Sequence, residues 1–449
     1  MSGELLQPVW LHRDRCGIEQ HGGLAQCGHG HRAHGAYWKG GYSGGANVWA
    51  ISDGSSTSNW TTDSAGTSAT GQVAGANTKV IFSATGASNQ TDMTLGADMA
   101  VGSLEFNNTA VAALNDLDNK LTVNGASAVS VTSTGAVTLN TNLVLANSQA
   151  TVNVANAAGV LNLQGTVTGN GLTKTGSGRL AVSGTQSFSG SVLLNAGTTY
   201  FGGTTTVNSL TLAAGARLEG SGTVTSVAGM TIGGTLAVGD ESLSSAVAST
   251  LTLASGSGTL TFQTGSVITL DLVNGAGTGG GESDLLVISG VLVIGADVSL
   301  QVETNNMTTW AIGDTWQLID WTGLTSRTGT FVTTELDSAL SGTGLSWDYS
   351  NLYTTGAITL SAVPEPPGRC SFFSPSVRWG RAEGGGSVLP ARNSGKNHET
   401  IPAASDPADG FLRGGTRGSS SRETPRWPGT TAKRSVAGLC RASHSFFES

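Results

Sequence analysis

Cysteine, histidine and proline are all missing between Ala36 and Val363. Without Cys that span has no disulfide framework. Without His it has no Ser-His-Asp triad, no imidazole acid–base pair and no His–metal centre. Without Pro every residue keeps an N–H to give to a strand ladder. Charge is scarce as well, at 12% of the chain, about half the usual quarter. No window approaches the ~20 consecutive apolar residues of a membrane helix. No apolar stripe of 3.6-residue period runs for a useful length, so helix is expected to be a minor state.

What the chain does have is glycine, 66 of 449 residues, with abundant Val, Leu, Thr and Ser. That mixture suits short strands joined by tight turns. Three compositions are joined end to end. The middle carries 7 basic and 20 acidic residues, net −13; the tail from Pro364 carries 12 and 7, net +5; residues 1–35 carry 3 and 3. An acidic middle excludes nucleic acid as a partner, because phosphate needs Lys and Arg. The four cysteines (Cys16, Cys27, Cys370, Cys440) match no metal-ligand spacing. The cluster His29, His31, His34 is assigned no role. Residues 1–35 contain no apolar core of 7–15 residues such as a signal peptide needs. Two readings of the ends stay open. They are authentic disordered extensions, or they are products of a shifted reading frame or misplaced start. The abrupt breaks in composition favour the second.

From Leu104 one small unit recurs, an apolar-x-apolar triplet followed by Gly, Asn or Ser. Examples are Leu104-Glu105-Phe106, Val129-Ser130-Val131, Leu143-Val144-Leu145, Leu180-Ala181-Val182, Leu210-Thr211-Leu212 and Leu260-Thr261-Phe262. Period-two alternation places the apolar residues on one face of a strand. Gly and Asn suit corners because they tolerate positive φ. The pattern predicts an all-β fold, a right-handed parallel β-solenoid with a Trp-rich N-terminal cap and disordered termini. An antiparallel β-sandwich array is the alternative, with hairpin turns at Asn124-Gly125 and Asn274-Gly275. The expected organisation is a head over 1–35, a Trp-rich β cap over 36–103 and a solenoid over 104–305. A β closing module over 306–363 and a basic tail over 364–449 complete it.

The segment Asn170-Gly171-Leu172-Thr173-Lys174-Thr175-Gly176-Ser177-Gly178-Arg179-Leu180-Ala181-Val182-Ser183-Gly184 continues through Phe188, Gly190, Asn195 and Gly197. It resembles the autotransporter-associated β-strand repeat, which reads Leu-x-Lys-x-Gly-x-Gly-x-Leu-x-Leu-Ser-Gly, then Tyr-x-Gly, an apolar pair and Asn-x-Gly-x-Leu. The repeat-motif positions are Lys174, Gly176, Gly178, Leu180, Gly184, Gly190, Asn195 and Gly197. The chain departs from the pattern at Phe188, where Tyr is usual, and at Thr199-Tyr200, where Leu is. Gly176 and Gly178 are expected to form a tight bend, with Leu180 and Val182 inward. Lys174 and Arg179 are expected to be solvated corner charges.

Toward the C-terminus, Gly313-Asp314-Thr315-Trp316, Leu345-Ser346-Trp347-Asp348 and Pro364-Glu365-Pro366 follow in order. That order is similar to the closing module and sorting signal of bacterial Pro-Glu-Pro (PEP-CTERM) proteins. The family's apolar span and Arg cluster do not follow Pro366. The resemblance implies export and a place at the cell surface or in an extracellular matrix, with extracellular polysaccharide or the cell envelope as partner.

Acid pairs occur at Asp116/Asp118, Asp240/Glu241 and Glu282/Asp284. Only the first has a basic neighbour in sequence, Lys120. Glycosidases need two carboxylates about 5–9.5 Å apart, a distance the sequence does not give. The Gly-rich stretch from Gly275 to Asp284 lacks the repeat of calcium-binding β-rolls, the ligand order of an EF-hand and the Gly-Lys-Ser/Thr of a phosphate loop. No catalytic, cofactor-binding or metal-ligating residue is assigned. The resulting expectation is a non-enzymatic secreted or cell-surface structural or display protein. A carbohydrate-binding adhesin that uses its Trp clusters and a polysaccharide-degrading enzyme are the alternatives.

Overall fold

The computed structural model describes residues 35–107, 111–242, 247–272, 283–304, 311–338 and 340–363. The head, the tail and the Pro364-Glu365-Pro366 motif lie outside them. The chain divides into Met1–Cys370 and Ser371–Ser449, and all the described residues belong to the first unit. They form 28 strands and one five-residue helix, Thr334–Ser338. The fold is all-β, and 25 of the strands make one large, mostly parallel sheet. Among the described residues no helix is long and apolar enough to cross a membrane.

The pairings resolve into three in-register columns. In the first, Val80, Leu104, Val129, Val152, Lys174, Leu194, Leu212, Ile232, Phe262 and Ile294 lie one above another. In the second, Val137, Leu161, Leu180, Thr199, Leu218, Leu236, Ile268 and Leu300 do the same. The third aligns Leu121, Leu143, Val167, Gln186, Thr205, Val224, Leu253 and Ile288. Every residue named in these columns is buried. Their strand neighbours are mostly Thr, Ser, Asn or Ala at half-exposed positions, as alternation along a strand requires. The triplets of the sequence are therefore the inward-facing pairs of successive rungs. A sandwich of antiparallel hairpins is not what forms: Asn124-Gly125 joins strands of two different parallel columns.

Polar residues inside the columns are satisfied by a neighbouring polar side chain or by corner carbonyls. Thr205 lies directly over Gln186 and donates its hydroxyl to the Gln186 side-chain oxygen, and the Gln186 amide donates to the Gly184 carbonyl. The ladder starts well upstream of residue 104, at Gly35–Trp38, which pairs in parallel with Lys79–Phe82, and runs past 305 to Ile319–Thr328.

Rungs of uniform length allow uniform corners. Leu161, Leu180, Thr199 and Leu218 are each 19 residues apart, and the same interval separates Gly165, Gly184, Gly203 and Gly222. A Cβ on Gly184 would sit 2.2 Å from the Gly165 carbonyl oxygen, one on Gly203 2.0 Å from that of Gly184, and one on Gly222 2.1 Å from that of Gly203. Each corner rests on the backbone of the corner before it, and only glycine fits. Gly176 (φ 78°) and Gly197 (φ 67°) do the same at another corner in left-handed backbone.

Aromatic side chains cluster at the N-terminal end of the large sheet and in a smaller sheet. Trp38, Trp49 and Trp60 are fully buried and meet at ring-centroid distances of 5.2–6.3 Å. Trp49 leads on to Phe82, which stacks on Phe106 at 4.5 Å. Beyond Ile319–Thr328, the strands Thr315–Gln317, Leu345–Asp348 and Ala357–Ala362 form a separate antiparallel sheet. There Trp316 and Trp347 are buried edge to face at 5.6 Å.

The glycine column makes a direct prediction. Gly184→Ala is expected to lower stability to chemical denaturation by about 2 kcal/mol or more, while Ser183→Ala, next to it and exposed, changes it by less than about 0.5 kcal/mol. Equal, small effects at both positions would mean that the corners are not in backbone contact.

Candidate functional site

The repeat-motif residues occupy one rung and its corners. Leu180 points inward in the second column, and Gly184 belongs to the glycine column. Gly190 crowds the Asn170 carbonyl, Gly197 sits over Gly176, and Asn195 is exposed at a corner. Gly178 packs against the backbone of Asn156 and Gly159.

Lys174 and Arg179 are not solvated. Lys174 is 0% exposed and occupies an inward position otherwise filled by Val, Leu, Ile and Phe. Alternation forces it inward, because Leu172, two residues earlier, is itself buried. Its Nζ donates to the carbonyls of Thr175, Gly176 and Ala196 at 2.9–3.0 Å, three oxygens gathered by the glycine corner. Burial pushes its pKa down to about 8; the carbonyl dipoles act in the opposite sense.

Arg179 stands on the outward side of the second column, and a folded-over acidic segment covers it. Its Nη1 pairs with Glu219 and its Nη2 with Asp240 at 2.7 Å, and its guanidinium lies over the Tyr200 ring at 5.1 Å. Arg217, on the next rung but one, pairs with Glu219 at 2.8 Å and Glu241 at 3.1 Å. The side chains of Arg179 and Glu219 are only 13% and 4% exposed. Asp240/Glu241 thus have basic partners after all, supplied by residues 24 to 61 positions away in sequence and two rungs apart in the ladder.

The site forms where the period breaks. Leu218 and Leu236 are 18 residues apart, but the next two steps, to Ile268 and Leu300, are 32 each. The added residues carry Asp240, Glu241 and Asp284. Here the second column ends in carboxylates: Asp271 and Glu303 are in register on adjacent strands. Asp271 is 7% exposed and Asp284 1%. Asp284 accepts from the backbone amides of Ser249 (2.7 Å) and Asp271 (3.0 Å), one at each oxygen. The Asp271 Oδ1 is buried and has no hydrogen-bond partner. Carboxylate oxygens of Glu241, Asp271 and Glu303 lie within 4.8 Å of one another. Beside them a cavity of about 290 Å³ is lined by Tyr200, Val238, Glu241, Ser249, Asp271 and Asp284, among others.

Electrostatics follow from this crowding. Burial, then Asp284, Glu241 and Glu303, push Asp271 up to about 7 against the pull of Arg217. Burial raises Asp284 to about 6, opposed by its two amide donors. Glu241 is raised mainly by burial, with Arg217 opposing. Elsewhere, burial would raise Asp116, but amides of Gly96, Asn119 and Leu95 and the Asn119 side chain outweigh it and hold it below the usual carboxylate range. Lys120 turns instead to Asp98, at 3.7 Å and exposed. Asp116 is a loop fastener, and Glu282 lies outside the described residues.

No family model matches the chain, and no curated protein is significantly similar to it.

Two predictions follow from the buried charges. Arg179→Ala is expected to lower unfolding free energy by about 3 kcal/mol, since Glu219 and Asp240 lose a partner in a poorly solvated place, whereas Lys120→Ala costs less than about 1 kcal/mol. Comparable losses would show the Arg179 network to be solvent-screened. For Lys174 the folded pKa lies below the usual 10.5. Between pH 8 and about 10.4 the unfolded chain therefore holds a proton that the folded chain has released, and stability rises with pH in that window. Denaturant titrations at pH 7.5 and 10 are expected to show that gain in the parent and not in Lys174→Met.

Proposed function

We propose that the described residues of the large sheet wind as a right-handed parallel β-solenoid. We further propose that the protein is a non-enzymatic structural or display protein of the cell surface or extracellular matrix. The observation that carries this reading is the in-register stacking of three columns over successive rungs. Parallel neighbours joined by crossovers follow a right-handed path almost without exception. The outward rows present small hydroxyl and amide side chains, such as the ladder Thr211, Thr231, Thr261. The Trp clusters at residues 38–60 and 316–347 act as end caps, because a stacked core exposes a cross-section that needs covering. The similarity of residues 170–198 to the autotransporter-associated repeat, and of Pro364-Glu365-Pro366 to the sorting signal, supports export. Extracellular polysaccharide or the cell envelope is the proposed partner, and nucleic acid is not.

The adhesin alternative relies on Trp faces open to sugar. Trp38, Trp49, Trp60, Trp316 and Trp347 are all buried, Trp321 is half-buried with Arg327 over its ring, and Trp310 lies outside the described residues. The polysaccharide-degrading alternative relies on the pocket carboxylates. Asp284 is occupied by two amides, Asp240 and Glu219 by arginines, and the Asp271 Oδ1 is closed to solvent. A substrate has little to touch there.

Fractionation of the source cells tests the location: the chain is expected in the pool cleaved by protease added outside intact cells. Full retention in the cytosol would remove the display role. Release of reducing or unsaturated ends from a panel of neutral and acidic polysaccharides would replace it with the enzymatic reading.

A further inference from the structure

We infer that Glu241, Asp271 and Glu303 form a binding site for a calcium ion, one that ties the two long rungs to the ladder. The inference does not depend on where the protein resides.

Four observations carry it. First, the three carboxylates converge, with oxygens within 4.8 Å of one another. Oxygens on opposite sides of a calcium ion, at 2.3–2.6 Å each, stand about 4.6–5.2 Å apart, so the spread needs no rearrangement. Second, Asp271, one of the three converging residues and only 7% exposed, has a buried Oδ1 with no hydrogen-bond partner. A buried acceptor with nothing to accept from is costly, and a cation removes the cost. Third, Asp271 and Glu303 are in register on adjacent parallel strands. Like charges directly across a ladder repel, and the arrangement is stable with a positive charge between them. Fourth, among the described residues carboxylates outnumber cations here. Glu219, Asp240, Glu241, Asp271 and Asp284 crowd around Arg179 and Arg217, and both arginines are already engaged by Glu219, Asp240 and Glu241. The Arg217 Nη2 reaches Glu241 Oε1 at 3.1 Å without the alignment of a hydrogen bond, which leaves that oxygen a lone pair for a metal.

The donor set selects the ion. All three ligands are hard carboxylate oxygens, and the span from Ala36 to Val363 has no Cys or His to favour zinc or copper. Magnesium demands a near-ideal octahedron and keeps most of its waters, whereas calcium accepts 6–8 oxygens in loose geometry. Water in the adjoining cavity of about 290 Å³ supplies the remaining ligands.

The test uses the full chain, freed of metal with a chelator and titrated with calcium chloride by calorimetry, with thermal unfolding alongside. One saturable site is expected, with Kd of about 1 mM or tighter, the range of extracellular calcium modules. The midpoint of unfolding should rise with calcium and less so with equal magnesium. The isosteric double substitution Asp271→Asn, Glu303→Gln removes charge without volume, and circular dichroism will show whether it folds as the parent does. It is expected to weaken calcium binding at least tenfold, while Asp98→Asn, an exposed acid elsewhere, leaves it unchanged. Absence of saturable binding up to about 10 mM calcium overturns the inference. So does a double variant that folds and binds within twofold of the parent. Should the double variant fail to fold, Glu241→Gln alone serves as the same measurement.

Discussion

Parallel strands held in register at about 4.8 Å place each residue directly over its counterpart one rung away, and most of this molecule follows from that constraint. A column accepts residues that tolerate their own neighbours. Leucine on valine on isoleucine buries surface at every step, and threonine on threonine keeps the outside wet. Glutamine tolerates stacking when its neighbour is a hydroxyl, as Thr205 over Gln186 shows. Charges are excluded from the columns unless something neutralises them, and the two places where charge enters are the two places where the chain does something unusual.

Lys174 is the first. A buried ammonium lies among Val152 above and Leu194 below, held by carbonyl oxygens instead of a carboxylate. Those oxygens are available because Gly176 turns in left-handed backbone right after the strand. The lysine and the glycines of the motif are thus one device, a corner fastened from inside. The acidic end of the second column is the other place. Alternation, register and two lengthened rungs deliver more carboxylates there than arginines, so its surplus is local and unavoidable.

Much of the architecture was legible in residue order. The triplets named the inward residues, the missing proline marked an uninterrupted ladder, and the abundant glycines were legible as corner residues, though not their 19-residue interval. The environment of Lys174 and Arg179 was not legible, because basic residues beside glycines normally face water, and only the ladder shows that Leu172 and Lys174 share a face. The acidic site was missed for a related reason. Arg179 and Asp240 are 61 positions apart, and no local pattern joins them. One trace was visible, the change of step from 19 to 32 residues, together with the gathering of acids at 240–241 and 282–284. Read as an interruption of a repeat, it marks the place where the chain has room for something besides stacking.

The glycine column has a consequence for how such a chain can change length. Gly184, Gly203 and Gly222 each seat on the glycine one step before, so a whole 19-residue step is a unit that can be repeated without rebuilding a corner. Gain or loss of a whole step re-seats every later corner and keeps the inner face inside. Gain or loss of one residue next to a corner glycine puts a side chain against a carbonyl unless the turn absorbs it, as it does in the 18-residue step from Leu218 to Leu236. Tandem duplication of whole steps is therefore the length change this part of the molecule accommodates most simply, whereas a single-codon insertion needs a register shift such as the one between Phe188 and Ser191.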